Sequence, residues 1–266
     1  TNIIVNRKVF LTRMHINFGN ISTGSFLISE TPNIWIQMVN SNLIDVPNAF
    51  TIINKPTKSI YYGIRLRLNV LSCNFQKEKL IETHTAIYIE FTRHIHIFQE
   101  AKIGVVKCIF TNHVASKGSA INIISDAYTT TNNKTITLNI KKTKFVNCMC
   151  KNQGCSVFAS SYIHVFVQDT IFFFNETFSG ISKDSVKGLF IYTNDNSVIK
   201  RCMFCYRFHG SFISPSLVHI KFVAAESSSL LFNQNYHFCP TWYYTEIKSQ
   251  FRNKKYLVNF RTFCNA

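Results

Sequence analysis

Short runs of alternating apolar and polar residues recur along the whole chain. Clear examples are GIRLRL at 63–68, TITLNI at 135–140 and YIHVFV at 162–167. Alternation with a period of two, in β-branched and aromatic residues, is typical of strands that bury one face. Asn, Ser, Gly, Lys and Thr separate these runs, and long stripes with the 3.6-residue period of a helix are missing. The pattern therefore predicts an all-β chain.

The strand-like runs belong to a degenerate repeat, of which residues 108–124, CIFTNHVASKGSAINII, are the clearest copy. In that copy an aromatic residue is followed by Asn, then by a Gly-Ser-Ala-Ile element. The aromatic position recurs at Phe18, Met38, Phe75, Phe110, Phe145, Phe172, Phe204, Phe232 and Phe263. The glycine element recurs after Gly24, Gly118, Gly154 and Gly210. A return of the same pattern every 20–50 residues or so indicates a solenoid, a propeller or an array.

Each period holds about three short strands in a fixed order. A propeller blade needs four strands in about 40–45 residues, so these periods suit a parallel β-helix better. We expect residues 1–236 to form the β-helix repeats. We expect 237–266 to be an irregular segment, rich in aromatic and basic residues, that leads into a last partial repeat.

The interior of a β-helix stacks each residue over its counterpart in the next turn. Cys precedes Phe by two positions at Cys73, Cys108 and Cys202, and Thr takes the same place before Phe145 and Phe172. Residues two apart on a strand lie on the same face, so we predict a Phe ladder beside a Cys/Thr ladder. The predicted core ladder residues are Phe18, Phe75, Phe110, Phe145, Phe172, Phe204, Phe232, Cys73, Cys108 and Cys202.

Glycine and asparagine are expected at the corners between strands. Glycine adopts a positive φ without steric cost. Asn tolerates left-handed backbone geometry, and its amide can bond to an Asn in the neighbouring turn. Asn112, in the clearest copy of the repeat, is expected to be such a corner.

The charge balance changes the picture of the surface. Lys and Arg number 29 against 13 Asp and Glu, which gives a net charge of +16. Such a balance favours anionic partners, although a basic surface also serves solubility alone. The candidate binding residues on a basic face are Arg65, Arg67, Lys117, Lys142 and Lys144. No RNA-binding aromatic signature accompanies them, so nucleic acid is not an expected partner.

Several cysteine and histidine residues could bind a metal or a ligand, but each also has a simpler structural role. Cys202-x-x-Cys205 and Cys148-x-Cys150, together with Cys155, resemble metal-binding spacings, but they lie in predicted strands, where core thiols are expected. A disulfide between Cys239 and Cys264 is a candidate in a secreted protein. Outward histidines, which could line a metal or glycan site, are expected to be solvated face residues; they are His94, His96, His164 and His219.

Acid–base catalysis on a polysaccharide needs clustered carboxylates. The five Asp residues do not pair closely with another acid, and no outward acidic ladder forms on any strand. We therefore expect no catalytic residues, no cofactor and no metal. An apolar run of 18 residues is missing, so no membrane insertion is expected.

The F-x-N element followed by Gly-Ser-Ala-Ile resembles the repeats of chlamydial polymorphic outer membrane proteins. It is also similar to trichomonad β-helix surface proteins, and the resemblance covers nearly the whole chain. The second glycine of that pattern is replaced here, for example by Ser119 and Cys155. The resemblance implies a right-handed parallel β-helix displayed at a cell surface, with an adhesive role. The Asn-, Lys- and Phe-rich composition favours a protist source.

The expected fold is an all-β, single-domain right-handed parallel β-helix of about eight or nine turns with three short strands each. The expected function is that of a non-enzymatic structural or adhesive protein, extracellular or at a cell surface. Its candidate partners are anionic glycans or a host or cell-surface protein. Two alternatives stay open at this point: a lyase- or hydrolase-like enzyme on polysaccharides, and a fibre subunit that assembles end to end through open β-helix edges.

Overall fold

The computed structural model describes the following residue ranges of the chain: 3–4, 8–18, 24–30, 33–54, 64–80, 84–91, 99–125, 134–153, 155–160, 163–174, 189–193, 197–206, 218–222, 230–238 and 258–262. Every regular element in these ranges is a strand. The strands are β1 (Ile3–Ile4), β2 (Lys8–Thr12), β3 (His15–Asn17), β4 (Ser25–Ser29), β5 (Asn33–Val39), β6 (Asn42–Ile44), β7 (Asn48–Asn54), β8 (Ile64–Leu71), β9 (Asn74–Gln76), β10 (Ile87–Phe91), β11 (Gln99–Val106), β12 (Ile109–Thr111), β13 (Val114–Lys117), β14 (Ile121–Ser125), β15 (Lys134–Lys141), β16 (Lys144–Val146), β17 (Met149–Gln153), β18 (Val157–Ala159), β19 (Ile163–Gln168), β20 (Ile171–Phe174), β21 (Leu189–Thr193), β22 (Ser197–Lys200), β23 (Met203–Tyr206), β24 (Val218–Phe222), β25 (Leu230–Phe238) and β26 (Val258–Thr262).

The strands stack into three parallel faces, which confirms the predicted parallel β-helix. One face has the order β1-β4-β7-β10-β14-β18-β21-β24. The long-strand face stacks β2-β5-β8-β11-β15-β19-β22-β25, and the short-strand face stacks β3-β6-β9-β12-β16-β20-β23. Two turns add a fourth strand through the β13–β17 pair. β25 extends across the boundary expected at residue 236, and β26 pairs with it, so the ladder continues beyond that point.

The interior consists of columns of like side chains. Alternation along the long strands sends every second residue inward, and strand pairing aligns those residues from turn to turn. One long-strand column contains the fully buried residues Met38, Val70, Val105, Ile140, Val167 and Ile199. Because each buried residue packs between apolar side chains of the turns before and after it, the core is continuous along the axis.

Four phenylalanines on the short-strand face form an aromatic stack inside the core. Phe75, Phe110, Phe145 and Phe172 are at most 1% exposed. Their successive ring centroids lie 4.7, 5.2 and 5.0 Å apart, and the ring planes are within 12° of parallel. These distances follow the strand spacing of about 4.8 Å, so the backbone ladder sets the stack. Phe204 continues the backbone register from Phe172.

The predicted Phe ladder is wrong at Phe18 and Phe232. Toward the N-terminal turns, the column that holds Phe75 continues through Leu43 and Ile16. Phe18 lies two residues beyond Ile16, where its amide donates to the Ile44 carbonyl at 3.2 Å. Phe232 pairs with Ile199, so it belongs to the long-strand column. Backbone pairing fixes the register, and an inward slot accepts any apolar side chain of suitable size.

The Cys/Thr ladder lies at the corner between the long and short strands. Cys73, Cys108, Thr143, Thr170 and Cys202 are at most 2% exposed. Each side chain donates to the carbonyl two residues earlier, at 3.2 Å for Cys73, 3.1 Å for Thr143 and 3.5 Å for Cys202. The slot therefore selects a small side chain with a donor, which satisfies a carbonyl that the corner leaves buried.

The residue before each of these donors has a positive φ. This first corner column has φ between 50° and 56° and contains Arg13, Asn40, Ser72, Lys107, Lys142, Asp169 and Arg201. Their amides donate to carbonyls of the next turn, as in the 2.9 Å bond from Lys107 to Lys141. Lysine and arginine in left-handed geometry were not anticipated from the sequence.

A second corner column follows the short strands. Asp45, Asn112 and Asn147 have φ of 55°, 60° and 51°. The Asn147 amide donates to the Asn112 side-chain oxygen at 3.3 Å, and the Asn112 amide donates to the Lys77 carbonyl at 3.1 Å. The predicted role of these asparagines at a corner, with amide bonds between turns, is confirmed at this pair.

Replacement of Phe110 by Ala should lower the free energy of unfolding by about 3–5 kcal/mol, because it opens a cavity in the middle of the stack. Urea unfolding of the purified chain would measure this. Phe166→Ala is the matched control, since Phe166 is 36% exposed, and its effect should stay within about 0.5 kcal/mol. Equal effects of the two substitutions would contradict the buried stack.

Replacement of Gly118 by Ala should destabilise the fold by more than about 1–2 kcal/mol. Gly118 has φ of 49°, and a Cβ there would collide with the Ile121 carbonyl and come 3.0 Å from the Asn122 backbone. Gly104→Ala is the control, because a Cβ there meets only the Asn69 side-chain oxygen at 3.1 Å and the Leu68 carbonyl at 3.9 Å. Its effect should stay within about 1 kcal/mol. Thermal unfolding of both variants distinguishes the two positions, and a Gly118→Ala variant as stable as Gly104→Ala would refute the strained corner.

Candidate functional site

The five predicted basic residues do not form one face. Arg65 and Arg67 are exposed on the outer side of β8 in the long-strand face. Lys142 is at the first corner, and Lys144 is exposed on the short-strand face. Lys117 ends β13 elsewhere in the turn, with its Nζ 5.3 Å from the centre of the Phe158 ring. The structure therefore brings Lys142 and Lys144 together and leaves Lys117 apart.

Cations from consecutive turns gather at the first corner. We call this surface the cationic corner, and it consists of Lys107, Lys141, Lys142, Lys144, Lys200 and Arg201. Strand pairing places Val106, Lys141, Gln168 and Lys200 in one column. Because one turn advances by about 4.8 Å, Lys107 and Lys142, which occupy the same corner position in adjacent turns, lie roughly that far apart along the axis. Sequence reasoning found only part of this surface, since the corner residues precede the Cys/Thr ladder rather than an alternating strand.

One carboxylate, Asp169, accompanies these six cations. It accepts from Arg201 at 2.6 Å to Nε and 3.0 Å to Nη2. Bonds from Arg201 hold the pKa of Asp169 below its usual range. Among the described residues, Lys107, Lys142 and Lys144 have no ion pair. The corner thus keeps positive charge that no neighbouring carboxylate neutralises.

On the long-strand face, Arg65 and Lys102 are engaged by Glu100. Lys102 approaches Glu100 at 2.9 Å and Arg65 approaches it at 3.9 Å. The hydrogen bond from Lys102 holds the pKa of Glu100 below its usual range. Such exposed pairs contribute little to stability, but they reduce the free charge at this end of the face.

An aromatic–cation cluster occupies the outer side of the long-strand face. Lys8 Nζ lies 3.9 Å from the Trp35 ring centre, and Arg67 Cζ lies 5.9 Å from the same centre. Phe10 meets Trp35 edge-on at 5.7 Å and is itself 54% exposed. Cation–π contacts of this kind hold the Trp35 ring in place on the face. Sequence reasoning missed the cluster because its members come from three different turns.

A buried titratable pair lies beneath the second corner. Lys77 and His113 are 3% and 2% exposed. The His113 Nε2–H donates to the Phe75 carbonyl at 3.2 Å. Burial, together with the nearby Lys77 charge, lowers the pKa of His113 to about 3. Burial also lowers the pKa of Lys77 to about 8, although the Asp45 carboxylate opposes that change.

Cysteine roles differ from the expectation at one place. Cys150 and Cys155 form a disulfide, so the expectation of core thiols is wrong for these two. The two cysteines are five residues apart in the chain, and their Cα atoms lie 4.5 Å apart. Cys148 and Cys202 are buried thiols, and burial raises the pKa of each to about 12. The Cys205 side chain, Cys239 and Cys264 lie outside the described residues.

Within the described ranges, no three His, Cys, Asp or Glu side chains come close enough to hold a metal ion. His164 is half-buried on the outer side of β19. His94, His96 and the His219 side chain lie outside the described residues. The same ranges contain no helix of the length and apolarity that crossing a bilayer requires.

Comparison of the chain with family models, curated proteins and solved structures finds no match. The resemblance to chlamydial and trichomonad surface proteins therefore stays a prediction from the repeat pattern. Function has to be inferred from the surface of this fold itself.

Stability should fall as the pH decreases from about 6.5 toward 3, because of His113. An unfolded histidine has a pKa near 6.5 and takes up a proton in this window, whereas the folded one, with a pKa of about 3, does not. Urea unfolding at several pH values would show this slope. His113→Gln should reduce it, while Phe110→Leu, which only lowers stability, should keep it. An unchanged slope in His113→Gln would refute the assignment.

Proposed function

We propose that this protein is a non-enzymatic β-helix protein of a cell surface or the extracellular space, with a structural and adhesive role. Its cationic corner binds anionic glycans. The observation that carries the proposal is the set of exposed, unpaired lysines at this corner, namely Lys107, Lys142 and Lys144. Lys107 and Lys142 occupy the same corner position in adjacent turns, and Lys144 is two residues from Lys142, so the three present a compact positive surface to an anionic polymer.

The overall charge supports an anionic partner. A net charge of +16 attracts polyanions over distances near the Debye length, about 8 Å at physiological ionic strength. At the corner, Asp169 is already paired with Arg201, so it offers no competition for a ligand. The lysines nearby are free to contact carboxylate or sulfate groups.

The Cys150–Cys155 disulfide supports an extracellular location. Disulfides persist mainly in oxidising compartments, such as the secretory pathway and the cell surface. A protein in that setting meets acidic polysaccharides routinely, so location and charge point in the same direction.

The test compares two double variants with the same loss of charge. Lys107→Gln/Lys142→Gln should weaken binding to immobilised heparin, a sulfated glycan, by tenfold or more. The reason is that each lysine near an anionic surface contributes about 1 kcal/mol to the binding free energy. The control Lys79→Gln/Lys117→Gln removes two exposed lysines elsewhere. It should change binding only slightly, and added salt should weaken binding by all three proteins.

Equal losses in both variants would show that net charge alone is responsible and would refute a specific corner site. Release of unsaturated or reducing ends from a polyuronate by the purified chain would refute the non-enzymatic role.

A further inference from the structure

A second feature of the long-strand face lies next to the cationic corner. It is a column of outward residues from consecutive long strands, which we call the aromatic–amide track. Its members are Phe10, Gln37, Asn69, Gly104, Asn139 and Phe166. The column spans five strand intervals, or roughly 24 Å at about 4.8 Å each. An aromatic ring stands at each end, and amide side chains lie between.

The track is accessible along its length. Phe10 and Phe166 are 54% and 36% exposed, which is unusual for rings of this size in a chain that buries its other described phenylalanines so well. Asn139 is exposed, and Gln37 and Asn69 are half-buried. Exposed aromatic rings beside free amides form a surface that can contact both apolar and hydroxyl groups of one ligand.

Gly104 lies in the middle of the track. It is inside β11 without a positive φ, so its backbone does not require glycine. The Asn69 amide takes up the room of the missing side chain, because its Oδ1 would lie 3.1 Å from a Cβ at Gly104. The glycine therefore lets the Asn69 amide lie close to the strand of the next turn.

Cations lie beside the track. One adjacent column contains Lys8, Trp35, Arg67 and Lys102. The column on the other side contains Val106, Lys141, Gln168 and Lys200, so its lysines begin where the cations of the first column end. A ligand that follows the track therefore meets positive charge first on one side and then on the other, which favours an acidic ligand.

We propose that the aromatic–amide track binds an acidic polysaccharide that runs along the β-helix axis. Sugar rings stack on Phe10 and Phe166 with their apolar faces, and sugar hydroxyls bond to Gln37, Asn69 and Asn139. Carboxylate or sulfate groups reach the flanking lysines and arginines. The inference rests on the proposed function and adds the residues that distinguish a sugar from other polyanions.

A single-stranded nucleic acid fits the same surface less well. Its binding sites stack successive bases on aromatic side chains. Here the two rings of the track are separated by four positions without an aromatic side chain. Amide side chains suit a hydroxyl-rich chain better than a row of bases.

The test uses two polyanions, a heparin oligosaccharide and poly(vinyl sulfate), which carries sulfates but no sugar ring. Asn139→Ala/Phe166→Ala removes an amide and a ring from adjacent turns of the track. It should weaken heparin binding roughly tenfold or more, because one aromatic contact and one set of hydrogen bonds to the sugar are lost. It should leave poly(vinyl sulfate) binding unchanged, because that polymer has no sugar ring.

The matched control is Asn74→Ala/Ile109→Ala, an amide and an exposed apolar residue from adjacent turns of the short-strand face. It should leave both affinities unchanged. The cationic-corner variant Lys107→Gln/Lys142→Gln should weaken both ligands. Thermal unfolding of each variant establishes that the fold is retained, since the substituted side chains are outward.

If the track variant binds heparin as the parent does while the corner variant does not, the track proposal is wrong and the proposed function stands. If the parent binds neither polyanion, both are wrong. If the track variant loses both ligands equally, the track acts through charge geometry and not through sugar contacts, which overturns the inference. Tighter binding of an oligo-dT strand, lost in the same variant, would overturn the choice of ligand.

Discussion

The interaction on which the rest of the structure depends is the parallel, in-register hydrogen bonding between strands of successive turns. It fixes a spacing of about 4.8 Å and places each residue over one counterpart in the next turn. Inside the helix, this constraint forces like to stack on like, and the rings from Phe75 to Phe172 follow it at 4.7 to 5.2 Å. Outside, the same constraint turns single surface residues into columns.

The corners connect that constraint to the surface. A small donor such as Thr143 turns inward and satisfies a buried carbonyl, and the residue before it takes a positive φ. That preceding position is exposed at Lys107 and Lys142, so the residue at which the chain changes direction also carries a positive charge on the surface. The cationic corner is therefore a consequence of how the chain bends, and its periodicity is that of the backbone.

Several interior positions depart from a purely apolar core. His113 and Lys77 are buried beneath the second corner, where burial lowers both pKa values. The disulfide between Cys150 and Cys155 joins the extra strand β17 to the residues just before β18. Both features occur where the repeat is locally modified, near the β13–β17 pair or next to it.

The sequence by itself determined the strand class, the repeat and the central part of both inner ladders, because period-two alternation and the Cys/Thr-x-Phe spacing are local. It also determined that Asn112 lies at a corner, where an asparagine amide can bond to the neighbouring turn. Only the tertiary structure decided the register at the ends, where Ile16 takes the place expected for Phe18. It also decided the surface columns, since register across turns of unequal length depends on backbone pairing. Members of a column such as Phe10 and Phe166 are therefore far apart in sequence, with no local signal.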